Sequence, residues 1–138
     1  MTDVPLDPPS SYTLSQQPKR ELSLFEQRIH AIATSPYAVL TLSVANLAAL
    51  SKARKLVRGY PTVISCLGHA GIFAAAAVAL QTGDIVNGSG LATVWSANWL
   101  MFNARKAFTS RRVVPMSMVG LVASIGSAYG YQYFVIDQ

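Results

Sequence analysis

The sequence predicts an all-α membrane protein, a compact bundle of four transmembrane helices in two hairpins. An amphipathic interfacial helix and an extended N-terminal tail precede the bundle. Two observations carry that prediction. Charged residues make up only 12% of the 138-residue chain, about half the usual share. They are also unevenly placed, leaving uncharged runs at residues 31–51, 59–83, 85–104 and 113–136. Each run matches the roughly 20 apolar residues that cross a hydrocarbon core as helix. A water-facing helical bundle needs far more surface charge than these runs leave.

The elements follow in order. Residues 1–18 hold Pro5, Pro8, Pro9 and Pro18 among serines and glutamines. Such a stretch buries too little apolar area to fold alone, so it is expected to be extended and ordered only by a partner. It has no basic segment leading into an apolar one, and neither a secretory signal nor a typical cleavable transit peptide is expected. Across residues 19–34, Leu22, Phe25, Ile29 and Ile32 recur at helical spacing on one face. That pattern suits a helix lying at the membrane surface, and equally one packed on a partner protein.

The transmembrane domain is placed at 35–138. Ser35 and Pro36 read as an N-cap and a first-turn proline, opening a helix over about 36–51. A basic loop, KARKLVRGYP, leads to a second helix over about 61–81. The glycine-rich TGDIVNGSG reads as a turn before a third helix over about 89–104. A second basic loop, RKAFTSRR, precedes a fourth helix over about 113–135. Tyr129, Tyr131 and Tyr133 near its end fit an interfacial aromatic belt.

Charge sets the expected orientation. Lys52, Arg54, Lys55 and Arg58 fill the first connection, and Arg105, Lys106, Arg111 and Arg112 the third. Both connections fall on one side of a four-span protein. The other side carries Lys19, Arg20 and Arg28 against Asp3, Asp7, Glu21, Glu26, Asp84 and Asp137. Positive-inside logic puts the basic loops in the compartment from which insertion proceeds. Anionic phospholipid is the partner these loops suit, and nucleic acid is not needed to explain them.

The third span carries unusual polarity: NGSGLATVWSANWL, with Ser89, Thr93, Ser96, Asn98 and Asn103 in or just beyond it. Lipid is as apolar as leucine, so helices in a bilayer associate through small residues and polar bonds. The third helix is therefore expected to be interior, with Ser96 and Asn98 bonding to neighbours. Gly126 and Gly130 form a GxxxG pair in the fourth helix, and Gly68 and Gly71 lie in an alanine-rich second helix. All are expected at helix contacts.

Chemistry is sparse. The lone cysteine, Cys66, reads as a packing residue. His69 is the only histidine inside a span. It reads either as a neutral imidazole bonded to a serine or carbonyl, or, with Asn98, as lining a path. No carboxylate lies in any span, and no catalytic residue, cofactor site or metal site is called for.

Several stretches resemble the fungal altered inheritance of mitochondria protein 19 family. They are SPYAVLTLSVANLAAL at 35–50, NGSGLATVWSANWLMFNARKAFTSRR at 87–112 and AYGYQYF at 128–134. The most specific elements are Asn87, Gly88 and Gly90, then Thr93, Trp95, Ser96 and Ala97, then Lys106 and Phe108. The resemblance implies a small multi-pass protein of the mitochondrial inner membrane, and it does not imply a catalytic site. The basic loops would then face the matrix and both termini the intermembrane space.

The functional expectation is a non-enzymatic accessory or assembly subunit of a larger inner-membrane complex, with the respiratory chain as one candidate and other inner-membrane subunits as partners. The alternatives are a small transporter or channel component, and a protein-import-like four-span protein.

Overall fold

A computed structural model describes residues 23–136, whose regular elements are all helices. The expected tail at 1–18 and the first residues of the amphipathic segment, through Leu22, lie outside the described residues. The elements are α1 (Leu24–Ala33), α2 (Pro36–Arg54), α3 (Val63–Gln81), α4 (Ile85–Ser110) and α5 (Val113–Tyr131). A π-helical turn, Gln132–Ile136, extends α5.

Local chemistry sets each start. Ser23 and Glu26 form a reciprocal capping box on α1. The Ser35 side chain accepts from the Tyr37 amide, with Pro36 in the first turn of α2. The Thr62 hydroxyl accepts from the Ser65 amide at the head of α3. Gly83, at φ +86°, turns the chain out of α3, and Asp84 then caps α4 by accepting from the Asn87 amide. Arg111 closes α4 in the left-handed region at φ 51°.

Two expected loops are thereby corrected. Residues NGSG are not a turn but part of the first two turns of α4. Gly88 lies against Leu80, where an added Cβ would sit 2.6 Å from its Cγ, and Gly90 lies against the Tyr133 ring. These glycines serve close approach. The segment RKAFTS is likewise helical, because it contains neither glycine nor proline and nothing stops α4 before Ser110. Arg105 and Lys106 thus project from a helix, and the connection itself is only Arg111 and Arg112.

Successive long helices pack as neighbours: α2 on α3, α3 on α4, and α4 on α5, with a thinner contact between α5 and α2. Polarity is inverted relative to a water-soluble bundle. Ser43, Asn46, His69, Ser89, Ser96 and Asn103 are buried, while Leu47, Ile64, Val78, Val94, Met101 and Val114 are exposed. Length and apolarity alone qualify α3 and residues 113–136 as membrane spans; α1 and α2 qualify together, as a pair bent by 53°. The expected count of four is therefore not reached on that criterion. The reason is local: α4 carries Asn87, Asn98 and Asn103 among serines and glycines, which lowers its average apolarity.

Polar bonds tie the core. The Trp99 indole N–H donates to Asn46 Oδ1 at 2.9 Å, joining α4 to α2, and the Asn46 amide donates to the Leu42 carbonyl. The Ser43 hydroxyl donates to the Ala70 carbonyl, joining α2 to α3. Tyr129 is fully buried, so it does not belong to an interfacial belt. Its hydroxyl donates to the Ser35 carbonyl at 2.7 Å and accepts from the Val39 amide, locking α5 to the start of α2.

Helix α1 packs on α5 and the π-turn rather than standing apart. Glu26 and His30 face inward: the Tyr131 hydroxyl donates to Glu26 Oε1, and His30 Nδ1–H donates to Gln132 Oε1 at 2.9 Å. Leu24, Phe25 and Ile32 face outward.

The small residues divide into two groups. Gly126 meets Ser96, where an added Cβ would sit 2.5 Å from the serine Cβ, and Gly130 meets Thr93 at 3.3 Å. These two glycines lie where α5 crosses α4. Gly68 and Gly71 do not lie at a helix contact within the described chain, since both are exposed and an added Cβ would meet nothing within 4 Å. Their three-residue spacing resembles a packing motif, but its phase on α3 points outward.

Ser96 also differs from expectation. Its Oγ has no hydrogen-bond partner, so its smallness, not a polar bond, matters at the Gly126 crossing. Gly126→Leu should lower detergent stability by about 1–3 kcal/mol through overpacking. Gly68→Leu should leave it unchanged. Ser96→Ala should be neutral or stabilising, because it removes an unpartnered polar atom. Thermal unfolding of the purified variants in detergent checks all three.

Candidate functional site

The richest polar cluster lies on the flank between α3 and α4. Helix α3 presents Ser65 and His69 one turn apart, and α4 presents Asn98 and Asn103 from the facing side. They surround a cleft of about 390 Å³, with Trp95 and Phe102 as apolar walls and Lys106 near the basic end. Outward-facing Gly68 lies in the same cleft and adds no bulk to its wall.

His69 organises the cluster. Its Nδ1 lies 2.8 Å from the Ser65 carbonyl and its Nε2 lies 3.1 Å from Asn98 Oδ1. A carbonyl oxygen only accepts, so Nδ1 carries the proton and donates to it. Nε2 then either carries a second proton and donates to Asn98 Oδ1, or accepts from an Asn98 amide turned to present its NH₂. The Trp95 ring meets His69 edge-on at 5.8 Å. Asn103 donates from Nδ2 both to Ser65 Oγ at 3.2 Å and to the Trp99 carbonyl at 3.0 Å. Its Oδ1 is buried without a partner among the described residues.

The geometry bears on catalysis directly. Ser65 Oγ lies 3.3 Å from His69 Nδ1, which superficially pairs a nucleophile with a base. The shorter bond to the Ser65 carbonyl keeps a proton on that nitrogen, so it cannot take the serine proton. Among the described residues no three His, Cys, Asp or Glu side chains gather as a metal site would require. What the cluster does offer is hydrogen bonding between helices, with a cleft open to the side.

The sequence-predicted residues thus separate. His69 and Asn98 come together, as partners of one hydrogen bond. Gly126 and Gly130 come together with α4. Lys52, Arg54, Lys55, Arg58, Arg105, Lys106, Arg111 and Arg112 are all exposed. They gather at one end, because Gly59, at φ +93°, packs directly on Ser110 and beside Pro115. Sequence reading passed over the Trp99–Asn46 pair, which joins α2 to α4. The available signal was an asparagine flanked by apolar residues, which inside a bilayer must find a partner.

His69→Asn should be tolerated in stability, since an amide still bonds toward Asn98, whereas His69→Leu should cost about 1 kcal/mol by orphaning its partners. Detergent melting compares the two. Loss of the cellular phenotype in His69→Asn at normal abundance would instead assign the ring a titrating role.

The comparisons with known proteins agree with the resemblance and extend it. Residues 19–134 match the family described as altered inheritance of mitochondria protein 19, so the match begins within the amphipathic segment rather than at residue 35. The altered inheritance of mitochondria protein 19 homolog of Schizosaccharomyces pombe (strain 972 / ATCC 24843) is 35% identical over 104 residues, covering 75% of this chain and 85% of that protein. No solved structure matches. With the family pattern spanning all five helices, the chain belongs to the altered inheritance of mitochondria protein 19 family.

Proposed function

We propose that this chain is a non-enzymatic, four-span protein of the mitochondrial inner membrane, serving as an accessory or assembly subunit of a larger complex, with the respiratory chain the first candidate. Membership in the family makes it a mitochondrial protein. The observation that carries the rest is the inverted polarity of the bundle. An apolar rim around buried serine, asparagine and histidine suits lipid as the surrounding solvent for all four long helices, including α2 and α4.

The clustered basic side chains support an orientation with that end in the matrix and the termini in the intermembrane space. Exposed Leu24, Phe25 and Ile32 on α1 supply a further apolar face, suited to a membrane surface or a partner subunit. A transporter reading draws on the His69–Asn98 cleft. It is weaker for a single copy, because Trp99, Phe73, Leu42 and Tyr129 are fully buried and fill the bundle interior.

The test is extraction of mitochondria in mild detergent, followed by native electrophoresis and identification of co-migrating proteins. The expected result is migration in a large assembly with defined inner-membrane subunits. Migration at the monomer mass contradicts the accessory role. In parallel, replacing Lys52, Arg54, Lys55 and Arg58 with glutamate should impair insertion, read as loss of the alkali-resistant membrane fraction.

A further inference from the structure

The thin contact between α2 and α5 leaves a groove of about 590 Å³. Its walls are apolar and small: Ala45, Ala48 and Ala49 on α2 face Met118 and Leu121 on α5. Ala45 to Lys52 covers roughly 10 Å of helix, so the groove runs along the bundle rather than across it. It ends beside Lys52, in the last turn of α2, and Tyr60, in the loop that follows.

Among the described residues that end has a charge without an acidic partner. The sequence places no Asp or Glu between Glu26 and Asp84, nor between Asp84 and Asp137. Glu26 bonds Ser23 and Tyr131, and Asp84 caps α4, both at the opposite end of the bundle. The contact of Gly59 with Ser110 brings the two basic turns side by side. Eight cations therefore share the end of the bundle where the slot finishes at Lys52, and their counter-anions must come from outside the described residues. An amphiphile with an acyl chain and an anionic head satisfies both features at once.

We propose that the α2–α5 groove is a binding site for an anionic glycerophospholipid, with one acyl chain along Ala48, Ala49, Met118 and Leu121 and the phosphate at Lys52 and Tyr60. The inference rests on the membrane reading above and adds a defined site to it. Groove, charge and position agree: the slot opens laterally, as a lipid tail requires, and only its cation-rich end carries a charged lining residue. Alanines on α2 keep the slot open.

Native mass spectrometry of the full chain, purified with phosphatidylglycerol or with phosphatidylcholine, tests the site. Wild type should retain phosphatidylglycerol in preference to phosphatidylcholine. Ala48→Phe and Ser117→Phe fill the groove from exposed positions, and each should abolish most of that retention. Lys52→Gln should reduce it about fivefold, the scale of one basic side chain near an anionic headgroup. Lys106→Gln, a cation at the same end but outside the groove, should retain lipid like wild type. Detergent melting of each variant confirms folding, and two independent groove-filling positions guard against local damage. Undiminished retention in both phenylalanine variants overturns the site in favour of headgroup attraction alone. Equal losses in Lys52→Gln and Lys106→Gln overturn it in favour of diffuse charge, and equal retention of both lipids overturns the anionic selectivity. Alkali extraction of wild type from mitochondria is scored separately: release by alkali removes the membrane reading itself, whatever the lipid assay gives.

Discussion

An apolar exterior removes the force that assembles helices in water. When the surrounding medium is as apolar as leucine, burying leucine gains little, and helices hold together by close packing and by polar bonds with nowhere else to go. Each main feature of this bundle answers that constraint. Asn46 and Trp99 bond between α2 and α4. Tyr129 fastens the end of α5 to the start of α2 with two bonds to backbone. Gly126 and Gly130 let α5 approach α4 closely enough that Ser96 and Thr93 fit between. Each polar bond is worth only about 0.6 kcal/mol on average in a bilayer. Stability therefore depends on several of them acting with tight steric fit, not on any single one.

The same constraint shapes the two lateral openings, which differ in kind. The α3–α4 cleft holds a polar cluster that is largely self-satisfied, with His69, Asn98, Ser65 and Asn103 bonded to one another or to backbone. It joins helices. The α2–α5 groove is apolar and unfilled, and only its end is charged.

Much of this architecture was legible in the sequence. Uncharged runs located the long helices, and Ser35–Pro36 marked the start of α2 to the residue. The Gly126–Gly130 spacing located a helix crossing, but the polar content of residues 87–100 overstated burial, because α4 packs between α3 and α5 while exposing Val94, Met101 and Phe102. What escaped has physical causes. A glycine pattern records spacing but not phase, so Gly68 and Gly71 looked equivalent to Gly126 and Gly130 while facing outward. Asn87, Gly88 and Gly90 are turn formers in water, yet Asp84 caps a helix there and the glycines admit Leu80 and Tyr133. Tyr129 looked like a belt tyrosine because its partners, Ser35 and Val39, lie some ninety residues away in sequence. Average apolarity left α4 below the level of a membrane span, because Asn87, Asn98 and Asn103 lower it although Ser89, Ser96 and Asn103 are buried.

That last helix is where the account is most exposed to test. Single nitroxide labels at Val94 and Met101 of α4, introduced on a chain with Cys66 replaced by alanine, report the medium each position faces in reconstituted bilayers. Paramagnetic resonance with dissolved oxygen and with a water-soluble nickel chelate distinguishes lipid from water. The inverted bundle predicts high oxygen and low nickel accessibility at both positions, matching a label at Val78 on α3. Nickel accessibility at Val94 and Met101 equal to that of a label at exposed Thr109 would place the α4 rim in water and contradict it.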